Sequence, residues 1–224
     1  MTQLVLWDID HTLVSTRGVG RSLWAEAFRQ VTGQEMKEQA KIDGLTEQVI
    51  FRETAKLHGL TTNRADFDGF AQTLGELHVR RAADLRERGH ALDGAASALD
   101  ALAARGLRQT VVTGNVRAAA EVKVATFGLD HHLDLPVGAY GEDAEERAEL
   151  VAIALKRVGH QADVTVLVGD TPADVAAGLS AGVRVVGVAT GRSSSDELYE
   201  AGAHAVLADL SETRGVLKTL IVDV

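Results

Sequence analysis

Residues 4–12 read Leu4-Val5-Leu6-Trp7-Asp8-Ile9-Asp10-His11-Thr12. Four apolar residues in a row suit a strand covered on both faces, since a strand with one wet face would alternate. The strand then runs into two aspartates two residues apart, which an extended chain turns to the same side. Carboxylates that close raise each other's pKa unless a cation neutralises them. A hard divalent ion with oxygen ligands is the natural remedy, and Mg²⁺ fits. Val166-Leu167-Val168-Gly169-Asp170, followed by Thr171, Pro172, Ala173 and Asp174, repeats the pattern of an apolar strand ending in acidic residues. Ligand sites in open parallel sheets lie at the carboxyl ends of the strands. A third strand ends in Thr113-Gly114-Asn115, a hydroxyl followed by backbone N–H groups at a helix start, which suits a phosphate. Each piece alone has an ordinary structural reading. Asp10 or Thr12 would cap a turn, Asp170 would be an N-cap, and Asp174 a favourable charge at a helix start. For Thr113 alone, an N-cap is the favoured reading. Together they put four acidic residues on one sheet edge, a costly arrangement without a metal.

The rest of the chain follows the same rhythm. Apolar runs recur at Leu4–Trp7, Gln109–Val112, Leu135–Val137, Val164–Val168, Val183–Val188 and, more weakly, Ala205–Leu207. Helical patterns lie between them: Ala95–Ala104, Glu145–Val158 (with Leu150, Val151, Ala154, Leu155 and Val158 on one face), and Ala173–Ala181 behind Pro172. Alternating strands and helices predict an open α/β sheet. Trp7 and Gln109 are separated by about a hundred residues, far more than one crossover needs. The stretch from Ser15 to Leu92 shows helices and no convincing strand. Leu23, Trp24, Ala27, Phe28 and Val31 line one helix, and Val49–His58 and Phe67–Arg88 form two more. Five of the nine aromatic residues fall here, so this helical insert should have its own core over the sheet's edge. Gly191–Ser195, polar and rich in Gly and Ser, is expected to be a mobile surface loop.

Composition narrows the function. Over 224 residues, Lys+Arg 23 against Asp+Glu 32 leave a net charge of -9, so nothing resembles a footprint for nucleic acid or an anionic membrane. At 46% hydrophobic and 25% charged, the chain can bury a real core. It has no Cys, which excludes disulfides, thiolate chemistry and sulfur-based zinc sites. Neither a bilayer-spanning run nor a signal-peptide pattern is visible, so a cytoplasmic protein is expected.

In their order and spacing these motifs resemble the haloacid dehalogenase superfamily, on its phosphatase side and most like phosphoglycolate-phosphatase-type proteins. The first motif, Asp-x-Asp-x-Thr after an apolar strand, is matched by Asp8, Asp10 and Thr12. The second, a strand ending in Thr or Ser, is matched by Thr113, and the fourth by Gly169, Asp170 and Asp174. The third, a basic residue near the start of the helix before the fourth strand, falls on Arg147. The family commonly has Lys there. Lys123 lies too far upstream and Lys156 most of the way along the helix. His11 stands where Gly is frequent.

The resemblance implies a Rossmann-like core over residues 1–14 and 93–224, with a helical cap over 15–92 inserted after the first strand. It implies Mg²⁺-dependent hydrolysis of small phosphate monoesters, phosphoglycolate being the best-known substrate, through an aspartyl-phosphate. Asp8 is then the nucleophile and Asp10 the acid and base. Asp8, the Asp10 main-chain oxygen, Asp170 and Asp174 hold the metal. Thr12, Thr113, Gly114, Asn115 and Arg147 serve the phosphoryl group. Arg17, Thr46 and Arg52 of the cap could contact the leaving group or be plain surface, while His58 and His78 read as surface or satisfied residues. The partner is a small phosphorylated metabolite, and the protein a monomer or homodimer. A dehalogenase is disfavoured by Asp10 and the Asp170/Asp174 pair. A phosphonate-cleaving enzyme would need a special cap lysine, and nothing marks Lys37, Lys41 or Lys56. A phosphosugar mutase shares every core motif, and a silent binding module is opposed by the intact Asp8, Asp10, Thr113 and Asp170.

Overall fold

The computed structural model describes residues 1–42 and 44–222. Strand β1 (Leu4–Trp7) is followed at once by a two-residue strand β2 (Val14–Ser15), and the chain then enters helices α1 (Val19–Thr32), α2 (Glu47–Leu57), α3 (Arg64–Arg80) and α4 (Ala82–Arg88). It returns through β3 (His90–Ala91), which pairs antiparallel with β2, so the insert's two ends lie side by side. Next come α5 (Ala95–Ala103), β4 (Arg108–Val111), α6 (Arg117–Thr126) and α7 (Arg147–Val158). The remainder is β5 (Thr165–Gly169), α8 (Pro172–Ser180), β6 (Arg184–Val188), α9 (Ser195–Glu200), β7 (Ala205–Leu207) and α10 (Thr213–Leu220).

The main sheet is parallel, in the order β4-β1-β5-β6-β7. Its central strand shows why β1 is continuously apolar. Val5 and Trp7 enter one buried cluster, with Ala98, Leu102 and Val124 from α5 and α6. Leu4 and Leu6 enter the other, with Leu150, Ala154 and Val175 from α7 and α8. A period of two therefore feeds two cores. The connection out of β1 runs to β4 on one side, and the next, out of β4, runs back past β1 to β5 on the other. Such a reversal opens a crevice at the carboxyl end of β1.

The insert has a third cluster, built on Leu23, Trp24, Phe28, Phe51, Phe70 and Leu74 and closed by Val116, the N-cap of α6, and Ala119 within that helix. Phe70 lies 4.8 Å from Trp24 and 4.6 Å from Phe51, centroid to centroid. The aromatic excess of this segment is thus what lets it pack as a unit against the sheet domain. Among the described residues, no helix is long and apolar enough to cross a membrane.

Three expectations are corrected. Leu135–Val137 is a 3₁₀ turn, not a strand: Pro136 has no N–H to donate to a ladder, and the adjacent Ala139 makes only an isolated bridge to Val112. Phe67–Arg88 is two helices that meet at Arg81, which serves as C-cap of α3 and N-cap of α4. The β2–β3 ribbon was not foreseen, because two residues per strand leave no period to read. The 191–195 stretch also differs from a free loop. A side chain at Gly191 would collide with Asp170, so the backbone must pass close by, and Ser194 caps α9 in a capping box with Glu197.

Candidate active site

Asp8 follows β1 directly, and its N–H donates to Val168 O at 2.9 Å, tying it to the end of β5. The next turn bends sharply. His11 has φ 65°, and the N–H groups of Thr12, Leu13 and Val14 all converge on Ile9 O. A left-handed position explains why Gly is common at such a site, since a side chain there costs about 1 kcal/mol. His11→Gly is therefore expected to raise stability by about 0.5–1 kcal/mol, read as a higher urea midpoint. An unchanged midpoint would show that His11 makes compensating contacts.

Three carboxylates from this turn and the end of β5 meet. Asp8, Asp170 and Asp174 each present an oxygen within 4.8 Å of the others, and all three are buried. Thr12 Oγ1 lies 3.5 Å from Asp8 Oδ2 and 3.4 Å from Asp170 Oδ1, bridging the two strands. Thr171, not Asp170, is the N-cap of α8, in a capping box with Asp174. Asp174 uses Oδ2 for that box, accepting from Thr171 N–H and Oγ1 at 3.1 and 2.7 Å. Its Oδ1 faces Arg147 Nε at 2.7 Å. Arg147, at the first turn of α7, also donates to Asp8 Oδ1 at 2.5 Å. One guanidinium thus spans a carboxylate at the end of β1 and one in the first turn of α8.

Burial pushes the Asp8 carboxyl up, and the Arg147 charge only partly offsets it; Asp174 and Asp10 add to the rise. Burial also raises Asp170, with Asp8 and Asp174 pushing further in the same direction. Three oxygen-bearing acids against one guanidinium form a hard, anionic donor set that fits a divalent cation of the Mg²⁺ type. The Asp10 side chain lies outside this set.

Asp10 turns instead to Lys123 and Asn115. Lys123 Nζ donates to Asp10 Oδ2 and to Asn115 Oδ1, both at 2.6 Å, and Asn115 Nδ2 donates to Asp10 Oδ2 at 2.7 Å. Burial would raise the Asp10 carboxyl, but Lys123 and Asn115 outweigh it and hold it below the usual range. Thr113 is buried and accepts from Asn115 Nδ2 at 2.7 Å; the cap of α6 is Val116, so Thr113 is no N-cap. Lys123, too far upstream for the third motif, reaches this centre from the second turn of α6. It sits on that helix's buried face with Ala119, Ala120 and Val124. A lone lysine on an apolar helical stripe was the signal. Lys156, by contrast, is exposed near the end of α7.

The insert is fastened over these groups. Glu47 N–H, at the start of α2, donates to Gly114 O at 2.8 Å, and Thr46 Oγ1 donates to Glu145 O at 3.2 Å. Arg52 pairs with Glu145 at 2.6 Å, and Arg64 Nη1 and Nη2 both donate to Glu142 O at 3.2 Å. A Cβ on Gly141 would meet Gly114 O and Glu47 N, so this junction closes only around a glycine. Thr46 and Arg52 therefore hold the insert down, and Arg17 is exposed.

His58 is satisfied, with Nδ1 against Thr54 O and Nε2 accepting from Lys37 N–H. His78 is not. It is 2% exposed, and its Nε2 has no partner among the described residues. Burial and the Lys123 charge push its pKa down to about 4. The unfolded chain therefore binds a proton that the folded chain refuses, and the stability His78 contributes above pH 6.5 is lost as pH falls toward 4. The full loss is about 3 kcal/mol. Urea midpoints at pH 7 and pH 5 should differ less in His78→Gln than in the native chain.

An open parallel sheet with buried aspartates on the carboxyl ends of two adjacent strands, roofed by a helical insert, defines an α/β enzyme with an acidic, cation-accepting centre. The sequence model of the haloacid dehalogenase-like hydrolases matches residues 5–188, and the chain belongs to that family. It is 27% identical over 233 residues to the probable phosphatase IndB of Dickeya dadantii, covering 99% of this chain and 96% of that protein. It is 28% identical over 219 residues to phosphoglycolate phosphatase of Rhodospirillum rubrum, covering 94% and 89%. A hydrolase from Pseudomonas syringae has the same fold, with a TM-score of 0.71 at 19% identity over 99% of this chain and 100% of that one.

Proposed function

We propose that this hydrolase cleaves small-molecule phosphate monoesters through an aspartyl-phosphate on Asp8, with Mg²⁺. The observation that carries the reading is the meeting of Asp8, Asp170 and Asp174 around Arg147 at the carboxyl end of the sheet. Both curated relatives described above are named phosphatases, which supports the same chemistry. Asp8, Asp170, Asp174 and the Asp10 main-chain oxygen would hold the cation. When bound, it would offset the charge shared by the carboxylates and the phosphoryl oxygens.

Asp8 attacks phosphorus and the ester oxygen leaves with a proton from Asp10. Water then cleaves the acyl phosphate while Asp10 takes the proton back. Lys123 and Asn115 aim the Asp10 carboxylate and keep it ionised, which suits the second half-reaction. For the first, the incoming phosphate dianion adds negative charge beside Asp10 and raises its affinity for a proton. Arg147 offers two N–H groups to phosphoryl oxygens, joined by the Thr113 hydroxyl and the backbone N–H groups that follow it. Because phosphoryl transition states are loose, these positioned charges supply most of the rate gain. The insert, once closed, excludes bulk water.

The test is release of inorganic phosphate from 4-nitrophenyl phosphate and a panel of phosphorylated metabolites. Turnover should stop in EDTA and return with Mg²⁺. Isomerised phosphosugar without phosphate release would point to the mutase chemistry instead.

A further inference from the structure

Among the described residues, the Asp10 carboxylate is held by one of its two oxygens. Oδ2 accepts from Lys123 Nζ at 2.6 Å and from Asn115 Nδ2 at 2.7 Å, and Oδ1 makes no hydrogen bond. The Lys123 side chain is 6% exposed and that of Asp10 34%, so the carboxylate is gripped at its inner end and open at the other. The two groups that grip it are themselves immobilised. Asn115 Nδ2 gives its second N–H to Thr113 Oγ1 at 2.7 Å, and Asn115 Oδ1 accepts from Lys123 Nζ at 2.6 Å. An ammonium only donates and a carboxylate only accepts, so the amide cannot sit the other way round. Both amide N–H groups are engaged inside the protein, and this side chain keeps no donor for a phosphoryl oxygen. Lys123 is fixed through its helix. Ala120 and Val124 of α6 pack with Trp7 in the sheet's cluster, while Val116 at its N-cap and Ala119 pack into the insert's. On that second side α3 runs so close that a Cβ on Gly75 would lie 2.6 Å from that of Ala118. A helix close-packed on both sides leaves the Lys123 ammonium little freedom to turn away.

We infer that Lys123 and Asn115 are positioning residues that divide the Asp10 carboxylate: Oδ2 is the anchor, and Oδ1 is the oxygen that exchanges the proton with the departing alcohol and the incoming water. The inference rests on the phosphatase reading above and deepens it. In the first half-reaction an Asp8 oxygen bonds to phosphorus, the bond from phosphorus to the ester oxygen breaks, and the proton on Asp10 Oδ1 passes to that oxygen. In the second, a water oxygen bonds to phosphorus, the Asp8 oxygen leaves with the electron pair of its bond, and the proton from water returns to Oδ1. The substrate class that needs this device follows from the leaving group. An aliphatic alkoxide is too basic to depart without the proton, whereas 4-nitrophenolate leaves as the anion. A carboxylate free to rotate would often present the wrong oxygen or the wrong direction, and small misplacements of a reacting group are costly. The strut therefore serves monoesters of aliphatic alcohols far more than those of acidic phenols.

The experiment compares kcat/KM for glycerol 3-phosphate and for 4-nitrophenyl phosphate with Mg²⁺, in the native protein and in Lys123→Met. The variant should lose at least ~30-fold more on glycerol 3-phosphate than on the aryl ester, the scale of a general acid put out of place. In an Asp10→Asn background, which cannot supply the proton, Lys123→Met should not widen that ratio further. Asn115→Leu removes both amide donors and leaves the contact between Lys123 and Asp10 in place. It should shift the ratio the same way by a smaller factor, and it carries the test should Lys123→Met fold poorly. Lys123 and Asn115 acting only as structural supports would lower turnover of both esters alike. Equal losses on the two esters, or a ratio that still widens without the Asp10 acid, overturns the positioning role. The phosphatase reading is judged separately, by Mg²⁺-dependent phosphate release in the native protein. If neither ester is hydrolysed, both fall; if the native protein turns them over and the variants lose both alike, only the positioning role does.

Discussion

Asp8→Asn is expected to lower kcat for any phosphate ester by at least ~10⁴-fold, because the amide cannot form the acyl phosphate. The fold should survive. An amide oxygen can still accept from Arg147, and the change removes a charge that raises the Asp170 carboxyl. Far-UV circular dichroism and the urea midpoint should therefore match or exceed those of the native chain. Turnover near the native rate by a correctly folded Asp8→Asn protein would sink the nucleophile assignment. In the native protein, acid quench during turnover should trap phosphate on the peptide that contains Asp8.

Arg147→Leu should be the most destabilising single change at the site. The guanidinium is 10% exposed in its side chain and spans Asp8 and Asp174 at 2.5 and 2.7 Å. Removing one partner of a buried charge group leaves the others uncompensated, at a cost of about 3–5 kcal/mol. The sign of its pH dependence follows. Without Arg147 the Asp8 carboxyl rises further above its unfolded value. The folded state then keeps a proton that the unfolded chain gives up, and stability is lost as pH rises. The deficit relative to the native chain should thus be larger at pH 8 than at pH 5, and Mg²⁺ should recover part of it. Activity should fall at least ~10²-fold even at saturating Mg²⁺, as for loss of a transition-state donor. Arg147→Lys keeps the charge but not the fork, and should recover more stability than activity. Equal urea midpoints for Arg147→Leu and the native chain at pH 8 would contradict this account.

Much of the core was legible because its signals are local. An unbroken apolar run marks a strand with two covered faces, and β1 splits its residues between two cores as that pattern requires. Asp8, Asp170 and Asp174 each sit within a residue or a turn of a strand end, so once the sheet is parallel its topology brings them together. The insert showed as a long helical interruption with concentrated aromatics. Residues 135–137 misled because a short apolar run is ambiguous, and Pro136 decided against a strand.

The rest depends on elements far apart in the chain. That Lys123 reaches Asp10 follows from how α6 packs on the sheet, the pair being 113 positions apart in the chain. That Thr46 and Arg52 fasten the roof while Glu47, between them, turns inward depends on where α2 begins and on Gly141 beneath it. His78 read as a surface or satisfied residue because a helix's own period cannot say which partner covers its buried side. Residue type and spacing determined which strands form and what chemistry their ends carry. Only tertiary packing decided which charges are paired and which buried polar atoms are left without a partner among the described residues, because desolvation and Coulomb energies depend on distances that no local pattern encodes.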